Sequence, residues 1–149
     1  MTYGSRPGRL PGFMNDPSDE DGCQVVQLDH AESRELEAVN LNRFPPTISA
    51  GLDWDSAAYT DRRWWKDEDD WATIAEDPLA GYVAEGGRVA LFWGDLRLPT
   101  VTIPAAVAVR HASELPRMEP LFWIYPLDGS VLIECLMDGQ VTVATIPAR

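Results

Sequence analysis

Apolar residues change their spacing partway along this chain. Before about residue 80 they recur at helical intervals or in isolated clusters. After it they come in short runs bounded by Gly, Pro and Asp, which is a strand signature. Gln24–Leu28 reads as a short strand. Asp29 offers an N-cap, and Glu32 three residues later completes a capping box. The helix it starts is expected to run to about Phe44, with Leu36, Val39 and Arg43 on one stripe. Pro45-Pro46 stop it, because proline lacks the amide donor and restricts the residue before it. Thr47–Leu52 is a short strand or connector. A second helix is expected from about Asp67 to Glu76; its acidic first turn suits the positive end of the helix dipole. Trp71, Ile74 and Ala75 face inward in that reading, and Pro78 ends it. Residues 59–65 fit either an extension of this helix or a strand.

From Gly81 onward the pattern is β. Tyr82–Ala84 and Arg88–Trp93 flank Glu85-Gly86-Gly87, where glycine can supply the positive φ angles of a tight hairpin. Gly94-Asp95 makes another turn. Thr100–Ile103 alternates between Pro99 and Pro104, as an edge or sheet-switching strand does. Ala105–Val109 follows as a short buried segment in the same β-rich context, and Leu121–Tyr125 lies between two further prolines. Ser130–Met137 turns at Asp138-Gly139 into Gln140–Ile146, the strongest hairpin signal in the chain. There Val141, Val143 and Thr145 share one face, and Thr142, Ala144 and Ile146 the other. Five or six strands after residue 80, up to two before it, and helices gathered N-terminally define an α+β fold. It is expected to hold a mostly antiparallel sheet of five to seven strands, a C-terminal β-meander, and two helices of the N-terminal half on one face.

Residues 1–22 stand apart. Four Gly, three Pro and an acidic end give them too little apolar surface to offset their ordering entropy. They read as a flexible N-terminal arm ahead of a single domain, 23–149. Leu10, Phe13 and Met14 are its apolar exceptions, candidate anchors that dock on a partner or on the domain itself.

Charge narrows the function. The 149 residues carry 24 Asp+Glu against 12 Lys+Arg, a net charge of −12, and the pI is about 4.4. Phosphate backbones demand a basic face, so a nucleic-acid partner is disfavoured. No apolar run nears the roughly 20 residues of a membrane helix. The first eight residues lack the apolar stretch of a signal peptide, and a reducing cytoplasmic compartment is expected. The excess charge is concentrated: residues 31–80 hold 12 acids and 5 bases, more than half of it. Four of the six tryptophans, Trp54, Trp64, Trp65 and Trp71, lie in that same stretch. At least two of these four indoles are expected in the core.

Catalytic and cofactor signatures are missing. His30 and His111 are the only histidines. Ser113 and Glu114 neighbour His111, but adjacency in sequence is not triad geometry. No nucleophile elbow, P-loop or dinucleotide fingerprint occurs. Cys23 and Cys135 form no C-x-x-C, and their pairing is open. Glu134 interrupts an apolar strand, and alternation places it on a wet face; burial there would hint at function. Asp67-Glu68-Asp69-Asp70 lacks the spacing of a calcium loop and reads as a solvated helix start or a protein-binding face. No catalytic residue, cofactor or metal is expected.

The expected function is a non-catalytic acidic module that neutralises or escorts a basic protein, as immunity proteins, antitoxins and small inhibitors do. Trp64 and Trp65 would anchor the contact, and Asp67, Glu68, Asp69 and Asp70 would steer it. One alternative is a structural or assembly subunit of a phage or other particle, reaching neighbours in a homo-oligomer with its arm; its location is then the virion. A second is a small-molecule-binding sheet with a pocket lined by Phe92, Trp93, Phe122 and Trp123.

Overall fold

In the computed structural model of the chain, the residues described are 3–16, 18–39, 61–64, 87–95, 97–111, 114, 121–127, 131–136 and 139–146. Seven strands form one sheet: β1 (Val26–Gln27), β2 (Asp61–Trp64), β3 (Arg88–Trp93), β4 (Val101–Pro104), β5 (Phe122–Pro126), β6 (Val131–Cys135) and β7 (Gln140–Thr145). Their spatial order is β1-β4-β3-β5-β6-β7-β2, and every neighbouring pair is antiparallel. The fold is α+β. The strand β5-β6-β7 succession is the meander the sequence predicts. Gly139, at φ +97°, takes the left-handed backbone its turn requires. Its amide donates to the Leu136 carbonyl at 3.0 Å.

Helix α1 spans His30–Ala38 and begins as its sequence dictates. The Glu32 amide donates to Asp29 Oδ1 at 2.8 Å, and the Asp29 amide donates to Glu32 Oε1 at 3.0 Å. Both orphan donors of the first turn are thereby satisfied. The expected continuation of this helix to Phe44, the strand at Thr47–Leu52, the helix at Asp67–Glu76 and the hairpin strand Tyr82–Ala84 lie outside the described residues. Of the ambiguous stretch 59–65, residues 61–64 are strand.

Ala105–Val109 is the short buried segment expected, with Val107 and Ala108 in the core. These residues are helical, as α2 (Ala105–Arg110). The sheet topology explains it. β4 and β5 are both antiparallel to β3 and flank it on opposite sides, so they run parallel to each other. Parallel strands cannot be joined by a tight hairpin; the chain must cross the sheet, and a helix is the usual means. Pro104 stands at the N-cap position, where its missing amide costs no helical bond.

Strand β1 is exposed, whereas strands β3 to β7 are buried on both faces. On one, Val89, Leu91, Trp93, Val101, Ile103, Phe122, Ile124, Ile133, Val141 and Val143 form the larger cluster, covered by Val107 and Ala108 of α2. On the other, Ala90, Phe92, Trp123, Tyr125, Leu132 and Ala144 pack together with Leu36 of α1. The two sets alternate along each strand, as the pleat requires. Val141 and Val143 therefore part from Ala144 and Ile146 as the sequence predicts. Edge strands are short, which limits the open ladder presented to other chains.

The N-terminal segment contributes to the larger cluster. Leu10, Phe13 and Met14 are 1%, 8% and 4% exposed and sit in it. Three single-turn 3-10 helices, Pro7–Arg9, Gly12–Asn15 and Gly22–Gln24, carry the chain over that face. The Tyr3 hydroxyl donates to the Leu28 carbonyl at 2.9 Å and accepts from the Thr100 amide at 2.7 Å. The Arg6 amide donates to the Arg97 carbonyl at 2.8 Å. Gly22 lies so close to the second 3-10 turn that a Cβ there would fall 2.2 Å from the carbonyl oxygens of Phe13 and Asp16. No described helix is long and apolar enough to cross a membrane.

Two substitutions test this packing. Leu10→Ala is expected to destabilise the fold by about 2–5 kcal/mol, the cost of truncating a core leucine. Gly22→Ala is expected to cost about 1–3 kcal/mol, because backbone atoms cannot yield to the added methyl as a side chain would. Urea unfolding measures both; a peripheral segment would give less than about 0.5 kcal/mol for Leu10→Ala.

Candidate functional site

Three places in the structure bear on function, and the sequence points squarely at only one. That one is Trp64. It ends β2, the terminal strand of the sheet, opposite Gln140 of β7. Its indole is 59% exposed, the most exposed of the large apolar side chains described. Cross-strand partners share a face, so Trp64 lies on the Trp123 face of the sheet, at its edge. The other expected contact residues, Trp65, Asp67, Glu68, Asp69 and Asp70, lie outside the described residues, as do Trp54 and Trp71. Leu10, Phe13 and Met14 are engaged within their own domain, which is one of the two docking places their sequence allows.

The second place is a charged cluster where the N-terminal segment meets the end of α2. Asp21 accepts from Arg110 Nη2 at 2.6 Å and Nε at 3.1 Å. His111, the C-cap of α2, places Nε2 2.7 Å from the other side of that carboxylate, at Oδ2. Its Nδ1 meets Glu114 Oε2. Phe13 stacks on the imidazole with centroids 3.8 Å apart and planes inclined by 14°. Hydrogen bonds from Arg110 and then His111 hold the Asp21 carboxyl down to about 2. Burial opposes charge on His111, but the bonds to Glu114 and Asp21 outweigh it and its pKa is raised. Asp19, Glu20, Asp21 and Arg110 line an open cleft of about 380 Å³ beside this cluster.

This arrangement suits binding and bracing better than nucleophilic catalysis. A general base needs a ring nitrogen free to take a proton from the nucleophile. Both nitrogens of His111 are occupied by carboxylates. His30 is exposed and stacks on Tyr3 with centroids 5.2 Å apart. The Glu114 contact, three residues from His111, is visible in sequence spacing. Asp21 lies 90 residues away, and no local signal announces it.

The third place is Glu134, and it corrects the expectation of a wet face. Glu134 is 1% exposed. Phe92, Trp123, Glu134 and Thr142 follow one another across β3, β5, β6 and β7 in a single row. The Trp123 Nε1–H donates to Glu134 Oε2 at 2.9 Å. Alternation does set Glu134 apart from Ile133 and Cys135, as expected; the error lay in taking the second face for a solvated one. The expected aromatic pocket also fails, for the same geometric reason. Trp93 and Phe122 are cross-strand partners on one face, while Phe92 and Trp123 are partners on the other. The four rings line no common cavity.

Cys23 and Cys135 are both free thiols, the first exposed and the second buried. Burial, with the neighbouring Glu134 charge, pushes the Cys135 thiol well above its ordinary range. Among the described residues no three His, Cys, Asp or Glu side chains gather as a metal site. No protein-family pattern and no curated protein matches the chain.

Glu134 offers a direct test of the buried row. Glu134→Leu is expected to destabilise the fold by about 1–3 kcal/mol more than Glu134→Gln. Leucine leaves the buried Trp123 donor without its acceptor, whereas glutamine keeps an oxygen there. Chemical denaturation of both variants checks the difference, and Trp123 fluorescence reports the local change.

Proposed function

We propose that the protein is a non-catalytic acidic binding module that engages a basic protein partner. The observation that carries this reading is Trp64, 59% exposed on the terminal strand of a sheet whose strands β3 to β7 are buried on both faces. It belongs to the stretch 31–80, where acids outnumber bases 12 to 5. An indole held on a strand loses little freedom on binding, and tryptophan is enriched among the residues that dominate interface energetics. Surrounding carboxylates add steering, which speeds encounter with a cationic surface. The occupied ring nitrogens of His111 weigh against an enzymatic reading. The engagement of Leu10, Phe13 and Met14 within their own domain lends less support to an arm that reaches across neighbouring subunits.

Trp64→Ala and a quadruple variant, Asp67→Asn with Glu68→Gln, Asp69→Asn and Asp70→Asn, separate the two roles. Each is compared with the wild-type protein as bait in host lysate, and the captured partner is measured by surface plasmon resonance. The quadruple variant is expected to slow association about tenfold at low salt, and less at high salt. Trp64→Ala is expected to speed dissociation, at a cost of about 2 kcal/mol. Unchanged association and dissociation rates in both variants would overturn the proposal.

A further inference from the structure

His111 sits where only its doubly protonated ring is fully satisfied. Nε2 faces Asp21 Oδ2 at 2.7 Å and Nδ1 faces Glu114 Oε2. A neutral imidazole has one N–H and one lone pair. Between two carboxylates, one of its nitrogens would then set a lone pair against an anionic oxygen. Charge leads to the same protonation state. Asp21 from the 18–24 loop and Glu114 beyond α2 are matched by Arg110 at the end of α2 and by the imidazolium. Glu20, on the same loop, adds further negative potential near Arg110. Among the described residues, Phe13 from the second 3-10 turn is an apolar neighbour that shields one ring face.

We propose that His111 is a pH-operated latch: as the imidazolium it ties the 18–24 loop to the end of α2, and on losing its proton it releases part of that loop. The loop's C-terminal end is tied to β3 by Arg88 Nη2, which donates to the Gln24 carbonyl at 2.9 Å, and Gly22 packs against the second 3-10 turn, so the released part is the acidic stretch 18–21. Within it, the Cys23 amide donates to the Asp19 carbonyl at 3.0 Å and the Gln24 amide to the Asp21 carbonyl at 3.1 Å. The Asp21 and Gly22 amides donate to the Asp19 side chain. These bonds shape the loop without fastening it to α2. Arg110 does reach Asp21, but its side chain is 59% exposed, where solvent weakens an ion pair. Release leaves Leu10, Phe13 and Met14 in the core and is a local opening.

The direction follows from linkage. His111 is raised above its ordinary 6.5 in the folded protein. Its contribution is complete below that value and is lost as pH rises through the raised pKa. At the acid end, Asp21 is lowered to about 2, so its bonds persist until the pH falls toward that value. The latch is closed between these limits and opens on the alkaline side.

Two measurements on the full chain test it. NMR titration of the His111 ring is expected to give a pKa above 6.5, lower in Asp21→Asn than in the wild-type protein. Amide hydrogen exchange, corrected for its intrinsic pH dependence, is expected to show residues 18–21 losing about tenfold in protection as that pKa is crossed. Amides of β6 should keep theirs. His111→Gln is expected to leave residues 18–21 poorly protected at every pH, with no midpoint. A ring that titrates at or below 6.5, loop protection that ignores the titration, or parallel losses in β6 would each overturn the latch.

Discussion

A sheet whose strands β3 to β7 are buried on both faces sets the terms for everything else in this protein. Solvent relieves no polar group that falls on its central strands, so each must bring a partner with it. The Trp123 indole and the Glu134 carboxylate illustrate the constraint: they are hydrogen-bonded one strand apart, in a row that runs from Phe92 through Thr142 to the register position of Arg62. The Trp93 indole obeys the same rule on the opposite face, donating to the Pro99 carbonyl at 3.0 Å. Ser33 and Thr100 obey it where α1 docks; both are buried, and their hydroxyl oxygens lie 2.7 Å apart. Helix α1 thus joins the body through a hydrogen bond as well as through Leu36.

Covering the larger face is the work of α2 and of the N-terminal segment together. α2 is short because it has only to cross from β4 toward β5. That leaves apolar surface which Leu10, Phe13 and Met14 fill. Three single turns suit a segment rich in Gly and Pro, since proline starts such turns without losing an amide bond and glycine permits close approach. Gly22 shows how close: its α-carbon rests where no side chain would fit. A composition that reads as disorder is here the composition of a tightly turning cover.

Local features were legible in the sequence and long-range ones were not. The capping box at Asp29 and Glu32, the Asp138-Gly139 hairpin, and the face alternation of β7 depend on residues a few positions apart, and all are present. The burial of Ala105–Val109 was legible, but its helical form follows from where β4 and β5 lie, not from its own five residues. Glu134 was misread because alternation gives the face but not what lies over it. The His111 cluster stayed hidden because half of it comes from Asp21, in a segment whose composition argued against any fixed place. Trp64 stands out because an indole beside a charge-rich run is a local signal, and it is 59% exposed.

These two kinds of information converge at the sheet's edge. Interior strands of this sheet have both faces and both ladders occupied, so they have little left to offer a second molecule. β2 has one ladder filled by β7 and carries an exposed indole. A short edge strand is a poor template for promiscuous strand addition; in the proposed reading, its tryptophan would supply side-chain recognition instead. Rigidity behind the ring matters as much as its exposure. The four backbone pairings between β2 and β7, backed by the buried β6–β7 hairpin, fix the direction in which the indole is presented. On the proposed reading, the excess of carboxylates in residues 31–80 would favour approach by positive charge.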